Sequence, residues 1–551
     1  MPAVLLDSQG RVLTNGTGCY TTDDVFTPPT YTGTVDREGL TALGWDSYDI
    51  DWLQQNVWWD KEDNDYWKVT EANLAFGPNG STPLTWANRA NIKTNPDVRY
   101  FPKFNPSPSS ATSWSSLFSG YSYLYAIPTH GWDTTHVTTF YNLFYNCYCL
   151  SSIGDLTNWS TTSLTGTALQ NTFYQCFNLS NIGDLSNWTT NNVTSFSATF
   201  YNCLKLKKIG NLSNWNTAKV TNMSSTFGGC NRIEDIGDLS NWNVSNVTTL
   251  ASMFSYCYNL KHITGLKNWD ISNCSNLSGT FSYCYSLKYI DDLTNWNTVK
   301  VTTLSTLFYY DYNLVSVGDL SNWNTSKVTT LYYTFGVCPL LKYVGDLSRW
   351  DTSKVNGTST SSGFVCTFNA CASLKDVGDL STWSMAGMSG VKNQMNSLFS
   401  GCSSITKLNV KDWDVSKVIN FTYTFSSMRK LRELDVSGWN LSANANSGTS
   451  ASTSIFANMQ QLQVLKLGPN FFNSPTVVTY YFSHLANWTP ESIVESLYTN
   501  QTSRTSTSTL ITIQINTVAF DKLKNNLPTG FTLVDTTNIM IDSKNIKLVR
   551  T

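Results

Sequence analysis

Residues Phe281 to Phe308 read FSYCYSLKYIDDLTNWNTVKVTTLSTLF, and the same pattern returns on both sides of this stretch. A shift of 27 residues toward the N-terminus gives FSYCYNLKHITGLKNWD, and the same shift toward the C-terminus gives FYYDYNLVSVGDLSNWNTSKV. The central Trp296 is flanked by Trp269 and Trp323, each 27 positions away. A fixed period of this length is typical of a solenoid, in which each repeat buries its apolar face against neighbouring repeats. The stretch therefore predicts a repeat-built binding surface.

The array is predicted to run over residues 112–467 in about 13 units of period 27. The spacing of the Trp residues is strict from Trp188 to Trp350 and then loosens, because polar insertions at 356–365 and 442–450 add residues that loop out of the stack. Each unit carries one Phe that anchors the pattern. These anchors are Phe118, Phe144, Phe173, Phe200, Phe227, Phe254, Phe281, Phe308, Phe335, Phe368, Phe399, Phe425 and Phe456.

A single unit predicts a short strand, a turn that bears the Trp, and a helix. In the unit through Trp323, residues 314–320 (LVSVGDL) are apolar and β-branched, which favours a strand. Asn324 stands where a helix N-cap is expected. The residues that follow recur at the spacing of one helix face, and they are Val328, Leu331, Phe335 and Cys338. The sequence therefore predicts an α/β solenoid.

Nine of the 13 cysteines lie three residues after a Phe anchor. They are Cys147, Cys176, Cys203, Cys230, Cys257, Cys284, Cys338, Cys371 and Cys402. One Cys per unit predicts a ladder of buried thiols, because free Cys behaves as a small hydrophobe. We expect these thiols to be reduced, since a disulfide needs Cα atoms about 4.4–6.8 Å apart and adjacent helical coils are expected to lie farther apart. Asp311 takes the Cys position in one unit.

The pattern W-[ND]-T-S-K-V-T-x-[LM]-x-x-x-F-x-x-C-x-x-L resembles the BspA-type leucine-rich repeats of bacterial and bacteriophage surface proteins. Good copies stand at Trp215 to Ile233, Trp242 to Leu260 and Trp323 to Leu341. The resemblance covers about two thirds of the chain. It implies a curved solenoid with parallel strands on one face, used for adhesion or receptor recognition, and it implies no enzymatic activity.

Three further segments do not repeat. Residues 1–100 hold six Trp (45, 52, 58, 59, 67 and 86) and predict a Trp-rich docking or capping domain, with a helix from Arg37 to about Trp59 and another near Val69–Phe76. Residues 101–111 are the predicted linker. Residues 468–551 predict an α+β cap, since NWTPESIVESLY and AFDKLKNNL favour helices while LITIQI, GFTLVD and KNIKLV favour strands. Such a segment resembles the closing part of phage-encoded BspA-type proteins.

Composition excludes several classes of protein. Charged residues make up 13% of the chain, against about 25% in typical domains, and the net charge is −2. This balance gives no electrostatic footprint for nucleic acid. No apolar run approaches the roughly 18 residues of a spanning helix, so we expect no membrane insertion. The first residues, MPAVLLDSQGRVLTNGTGCY, lack the basic and apolar regions of a signal peptide, and we expect synthesis in a cytoplasm.

No catalytic motif stands out, and we expect neither enzymatic activity nor a cofactor. The one ordered carboxylate series is a turn Asp in successive units, comprising Asp155, Asp184, Asp238, Asp292, Asp319, Asp346 and Asp379. Such a row could bind Ca²⁺ between coils, but a turn Asp more often accepts hydrogen bonds from backbone N–H groups. Asn211 and Gly265 interrupt the row, which weakens the metal interpretation.

Two sets of residues are candidates for partner binding. Four places after the Phe anchor stand aromatic residues that could stack on sugar rings or anchor an interface, although they could equally pack on one another as a spine. They are Tyr148, Phe177, Tyr258, Tyr285 and Tyr312. The second set varies between units on the predicted strand, where a leucine-rich array carries its specificity. It comprises Lys288, Tyr289, Lys342 and Tyr343.

Three functions remain open. The first is a bacteriophage virion protein, a capsid or tail fibre or spike, that contacts other virion proteins through residues 1–100 and a host surface protein or polysaccharide through the repeats. The second is a bacterial cell-surface adhesin of the BspA type. The third, an enzyme that uses the array to bind substrate, lacks a candidate site in residues 1–100. We favour the first, on the virion surface, and expect a homo-oligomer.

Overall fold

The computed structural model describes residues 35–56, 68–85, 88–103, 111–356, 363–388, 395–441, 455–472, 479–482, 484–501, 504 and 509–551. Over the predicted array the chain forms a repeat solenoid of the leucine-rich type. Successive coils are joined by parallel β-bridges, such as the series Asn222, Thr249, Asn276 and Thr303. Some bridges lengthen into strands: β1 (His262–Ile263) pairs in parallel with β2 (Tyr289–Ile290), and β3 (Glu433–Val436) with β4 (Val464–Leu467).

The predicted helix of each unit is wrong. Among the described residues of 112–467 the only helices are three-residue 3-10 turns, and they are Leu185–Asn187, Leu212–Asn214, Leu266–Asn268, Leu347–Arg349 and Leu380–Thr382. The stretch around Phe281 is a spiral of turns in which every second backbone N–H group donates to a neighbouring coil. Those of Gly279, Phe281 and Tyr283 donate to carbonyls of the next coil at 2.7–3.0 Å, while those of Thr280 and Ser282 donate to the residue three positions earlier.

Left-handed residues explain why a spiral of turns replaces the helix. Gly279 and Tyr283 have φ of 62° and 61°, and the next unit repeats this at Thr306 and Tyr310 with 54° and 65°. A left-handed residue every fourth position cannot belong to a right-handed helix. Both arrangements nevertheless turn similar positions inward, so the apolar spacing alone could not tell them apart.

Stacked aromatic rings fill the interior. The ring of Phe281 lies parallel to that of Phe308 with centroids 5.5 Å apart, and Trp296 lies parallel to Trp323 at 6.1 Å. The indole nitrogen of Trp296 donates to the carbonyl of Leu266 in the preceding coil at 2.9 Å, so the buried donor is satisfied. Because each coil stacks the same side chains in register, every unit buries its rings only with a neighbour on each side.

The nine repeat cysteines form the predicted ladder of buried thiols. Each Sγ donates to the carbonyl of the Phe anchor of the preceding coil at 2.8–3.2 Å. The expectation that coils lie too far apart for disulfides is wrong, because backbone hydrogen bonds join neighbouring coils and place them about 4.8 Å apart. Burial raises the pKa of Cys147 and Cys371 to about 12, which keeps these thiols neutral and unreactive.

Before the array, the described residues form three α-helices, α1 (Arg37–Ala42), α2 (Ser47–Asn56) and α3 (Glu71–Ala75), and one 3-10 turn, Arg89–Ile92. The single helix predicted from Arg37 is divided by Gly44, which has φ of 82°. The helix predicted near Val69–Phe76 is confirmed as α3. A separate core holds Trp45, together with Ala126 from the array. Trp58, Trp59, Trp67 and Trp86 lie outside the described residues.

The segment after the array is α+β, as predicted. Its helices are α4 (Pro490–Val494), which continues into a π-helical turn Glu495–Thr499, and α5 (Thr517–Lys524). Its strands are β5 (Thr479–Phe482), β6 (Ile511–Ile515), β7 (Phe531–Asp535), β8 (Asn538–Ile541) and β9 (Ile546–Arg550). They form one mixed sheet in the order β5-β6-β9-β8-β7. Sequence reasoning missed β5 and β8, both of which alternate buried and half-buried residues.

The bridge ladder begins at Tyr100, which pairs with Ala126. The predicted limits of the segments at 100, 111 and 467 stay predictions. In the part of the chain that the structure describes, no helix is both long and apolar enough to span a bilayer.

Candidate functional site

The structure brings three of the predicted aromatic residues together. Tyr258 stacks on Tyr285 with ring centroids 4.6 Å apart and an interplanar angle of 4°, and Tyr285 lies 5.2 Å from Tyr312. Tyr148 and Phe177 form a separate stacked pair at 5.2 Å. The predicted row is therefore two groups, because Leu204 and Asn231 occupy the same repeat position in the two intervening units.

A second tyrosine row, which sequence reasoning missed, runs beside the first. Tyr256 stacks on Tyr283 at 4.4 Å, and Tyr283 stacks on Tyr310 at 5.0 Å. The two rows touch edge to face, as the 6.1 Å separation of Tyr256 and Tyr258 shows. On the helix predicted for this stretch, residues two apart would face away from each other. The spiral of turns places both on one side, and the six residues are hereafter the tyrosine cluster.

A depression of about 290 Å³ opens beside the tyrosine cluster. It is lined by Ser252, Ser255, Tyr256, Ser278, Gly279, Ser282, Tyr283, Thr306 and Tyr309. Three hydroxyls converge on its floor: an atom at the Cβ position of Gly279 would lie 3.2 Å from Ser282 Oγ, 3.3 Å from Ser252 Oγ and 3.5 Å from Thr306 Oγ1. We call this the serine depression.

The serine depression is polar and uncharged. Its nine lining residues include no acidic or basic side chain. Burial raises the pKa of Tyr256, Tyr283 and Tyr309, so their phenols are neutral at physiological pH and can both donate and accept hydrogen bonds. Ser255 Oγ and Ser282 Oγ hydrogen-bond each other at 2.8 Å. The site can therefore hold a neutral ligand that is rich in hydroxyl groups.

The second predicted set lies on the bridge ladder. Tyr289 pairs with Ser316, and Ser316 pairs with Tyr343, so the two tyrosines stand two coils apart. They are among the most exposed aromatic side chains described, at 55% and 47%. Lys288 Nζ lies 5.1 Å from the centre of the Tyr289 ring, a cation–π distance. Lys342 precedes Tyr343 as Lys288 precedes Tyr289. Their role in binding stays a prediction.

Helix α2 lies across the same ladder at the first coils. Asp49 is 2% exposed, accepts from Lys103 Nζ at 2.7 Å and from the backbone N–H of His130 at 3.1 Å. Burial raises the pKa of Asp49 and Lys103 opposes that effect. Farther along the helix, Asn56 Oδ1 accepts from Asn181 Nδ2 at 3.0 Å. These contacts fix the helix on the bridge side of the array.

The turn Asp residues accept hydrogen bonds from backbone N–H groups, which is the alternative to Ca²⁺ binding that the sequence predicts. Asp319 Oδ1 accepts from the N–H of Ser321 at 3.0 Å, and the other members of the row accept from the residue two positions on in the same way. Asn211 makes the equivalent contact at 2.9 Å, which explains why it can stand in the row. No group of three His, Cys, Asp or Glu suited to a metal ion occurs among the residues described.

Comparisons with known proteins concern mainly the array. The sequence profile of the family described as "Mycoplasma protein of unknown function, DUF285" matches residues 112–230, 167–290, 276–361 and 363–464. A search of curated proteins finds no match to the chain.

Solved structures show only distant similarity. A leucine-rich repeat protein from Bacteroides ovatus is 15% identical, with 71% of this chain and 80% of that chain covered and a TM-score of 0.25. A leucine rich cell surface protein from Faecalibacterium prausnitzii is 15% identical, with 76% and 86% covered and a TM-score of 0.23. The family profile, in contrast, matches more than half of the 551 residues, and the chain belongs to the DUF285 family.

Proposed function

We propose that this protein is a non-enzymatic binding protein that presents its repeat array to a partner on a cell surface. The observation that carries the proposal is the tyrosine cluster, in which six phenol rings from three coils share one side of a rigid scaffold. Tyrosine contributes large contact area at a low cost in side-chain entropy and is enriched at the centres of interfaces. Tyr256 and Tyr312 are 36% and 40% exposed, so their rings are available to a partner.

The scaffold behind this surface is proposed to be an array of about 13 units closed at both ends. Contacts at the last described coil support closure there. Ser492 Oγ accepts from the N–H of Leu465 and donates to its carbonyl, both at 3.0 Å, and Gln501 Nε2 donates to the carbonyl of Gly468 at 2.6 Å. These bonds satisfy the open edge of β4, which would otherwise expose backbone groups to another chain.

We further propose that the protein is a bacteriophage virion component, a capsid or tail fibre or spike, made in the host cytoplasm and carried as a homo-oligomer. Residues 1–100 would contact other virion proteins, and the repeats would contact a host surface protein or polysaccharide. The nine buried thiols support assembly in a cytoplasm, where thiols stay reduced. A bacterial cell-surface adhesin of the BspA type is the alternative, and membership of the DUF285 family fits it equally.

An antibody against residues 263–356 separates the two locations. The virion proposal expects the antibody to capture purified phage particles and to label them by immunogold electron microscopy. Labelling of intact bacteria with none on particles would overturn it in favour of the adhesin.

Binding itself is tested with the purified full chain on intact bacteria or host cells. Replacing Tyr258, Tyr285 and Tyr312 by Ser should abolish retention on the cells if the tyrosine cluster is the binding surface. Replacing Tyr289 and Tyr343 by Ser is the matched change on the bridge side, and loss of retention there alone would move the binding surface to the bridge ladder. Retention unaffected by both variants would refute both surfaces.

A further inference from the structure

The serine depression exists because one repeat position changes residue type along the array. The position directly after the Phe anchor is Tyr in four units, comprising Tyr145, Tyr174, Tyr201 and Tyr309. In the units between Tyr201 and Tyr309 it is Gly228, Ser255 and Ser282. Small side chains at this position remove the rings that would otherwise cover the floor, and Tyr309 then bounds the space that they leave.

The walls and floor of the depression offer two kinds of contact. Phenol rings stand on the sides, and Tyr309 is held there by edge-to-face packing on Tyr283 at 5.2 Å and on Tyr310 at 4.4 Å. The floor carries the hydroxyls of Ser252, Ser282 and Thr306 around Gly279. Those of Ser282 and Thr306 donate to backbone carbonyls at 3.0 and 2.8 Å, so their oxygens are acceptors for a ligand hydroxyl. A ring with C–H groups on one face and hydroxyls on its rim would satisfy both, since the faces of aromatic rings are electron-rich.

The charge and size of the serine depression further restrict the class of ligand that it can bind. None of the lining side chains is charged, so the serine depression offers no counter-charge to an anionic or cationic ligand. The volume of about 290 Å³ lies at the lower limit for ligand pockets. That volume suits a single sugar ring better than a drug-sized or peptide ligand.

We propose that the serine depression binds one pyranose ring of a neutral glycan, with Tyr309 as the wall against which the ring packs. The proposal rests on the proposed binding function and names the class of partner for that surface. The tyrosine cluster next to the depression then contacts the adjoining sugars of the chain. In this cluster most ring faces are covered by the next ring of the row, so the edges and hydroxyls make those contacts.

Residues from the protein's own repeats supply the test variants. Ser282→Tyr places at this position the residue that four other units carry, and it fills the depression. Tyr309→Ser places there the residue of the two preceding units and removes the wall. Tyr174→Ser is the matched control, because it makes the same change at the same repeat position in a unit that does not line the depression. Circular dichroism and thermal unfolding of each variant establish that the fold is retained.

The assay is saturation-transfer NMR on the full 61.5 kDa chain. The probes are the methyl glycosides of glucose, galactose, mannose and N-acetylglucosamine, with methyl glucuronide as the anionic comparison. We expect transfer to at least one neutral glycoside, loss of that transfer in Ser282→Tyr, and binding roughly tenfold weaker in Tyr309→Ser, the size of effect typical of losing an aromatic anchor. Tyr174→Ser should bind as the wild type does.

Three results would overturn the glycan site: no transfer to any neutral glycoside, preference for the glucuronide, or equal binding by Ser282→Tyr and the wild type. In each case the cell-retention experiment still decides the proposed function. Retention that persists in Ser282→Tyr would leave the protein a binding protein with a different partner or a different site.

Discussion

Asp311 offers the sharpest test of the ladder of thiols, because it stands at the position where nine other units carry Cys. It is fully buried, and its Oδ1 accepts from the N–H of Cys284 at 2.8 Å, while Oδ2 has no hydrogen-bond partner in the described structure. Desolvation raises the pKa of Asp311 well above its ordinary value. A neutral carboxyl can use Oδ2–H as the thiols use Sγ–H, donating to the carbonyl of Phe281 in the preceding coil. We therefore expect Asp311 to be protonated in the folded protein.

The pH dependence follows from that raised pKa. Between the unfolded-state pKa and the folded-state pKa, the folded chain binds one proton more than the unfolded chain, so stability is greatest at low pH and falls as pH rises. The free energy of unfolding should fall by up to about 1.4 kcal/mol for each pH unit in this window. Asp311→Asn removes the titrating group, and its amide can accept from Cys284 and donate to Phe281. The free energy of unfolding of Asp311→Asn, relative to that of the wild type, should therefore rise with pH at the same rate.

Hydrogen exchange of the amides in residues 281–308, corrected for intrinsic rates, measures this locally, which suits an array whose coils depend mainly on their neighbours. Asp311→Cys, which restores the thiol, should flatten the pH dependence as Asn does. Asp319→Asn is the control: it creates the turn seen at Asn211 and should change stability by less than about 0.5 kcal/mol. Equal pH slopes in the wild type and Asp311→Asn would refute the buried neutral carboxyl.

Three further changes test other contacts. Trp296→Phe removes the hydrogen bond to the carbonyl of Leu266 and part of the stacked ring. We expect the free energy of local unfolding to fall by about 1–3 kcal/mol, measured by hydrogen exchange in the flanking coils. No loss would mean that the indole hydrogen bond is not formed. Lys103→Met leaves Asp49 buried without its cation and should lower the free energy of local unfolding by about 3 kcal/mol. The loss should appear as faster amide hydrogen exchange in α2. Unchanged exchange would contradict the buried contact between Lys103 and Asp49. Cys257→Ser keeps a hydrogen-bond donor at the ladder position, so its free energy of unfolding should lie within about 1.5 kcal/mol of the wild-type value. Cys257→Ala removes the donor and should be less stable than Cys257→Ser. Equal thermal stability of the two variants would show that the Cys257 thiol does not donate a hydrogen bond.

The interior was predictable from the sequence because side chains that repeat every 27 residues must stack. Phe281 and Trp296 recur at this spacing, and each is buried and stacks on its counterpart in a neighbouring coil. Cys284 recurs with them, and its buried thiol donates to the carbonyl of Phe254 in the preceding coil. The path of the backbone between them was not predictable from apolar spacing, since a helix and a spiral of turns place Phe281 and Cys284 inward alike. The signal that could have decided was the recurrence of Gly and Asn two residues before or after the anchor, as at Gly279 and Asn146.

The same backbone path explains why only half of the tyrosine cluster was found. A helix would place Tyr283 and Tyr285 on different faces, so the predicted helix gives no reason to group the two residues. In the spiral the two lie 6.1 Å apart, and their hydroxyl-bearing edges belong to one surface. The serine depression is not predictable from the sequence for a related reason. It is lined by small residues of a kind common in loops, and only the alignment of coils shows that Ser255 and Ser282 stand where four other units carry Tyr.

Because the coils stack in register, outward-facing residues can change from unit to unit without disturbing the packing of the core. Neighbouring coils lie about 4.8 Å apart, so a change at one outward position alters one element of the surface and leaves the ladders behind it intact. Gly229 and Asn231 hold the two positions that Tyr256 and Tyr258 hold one coil later, yet Phe227 and Phe254 stack at 5.8 Å as the other anchors do. The core therefore tolerates both a bare coil and a tyrosine-bearing one. Outward residues can therefore change coil by coil while the stacked core stays the same.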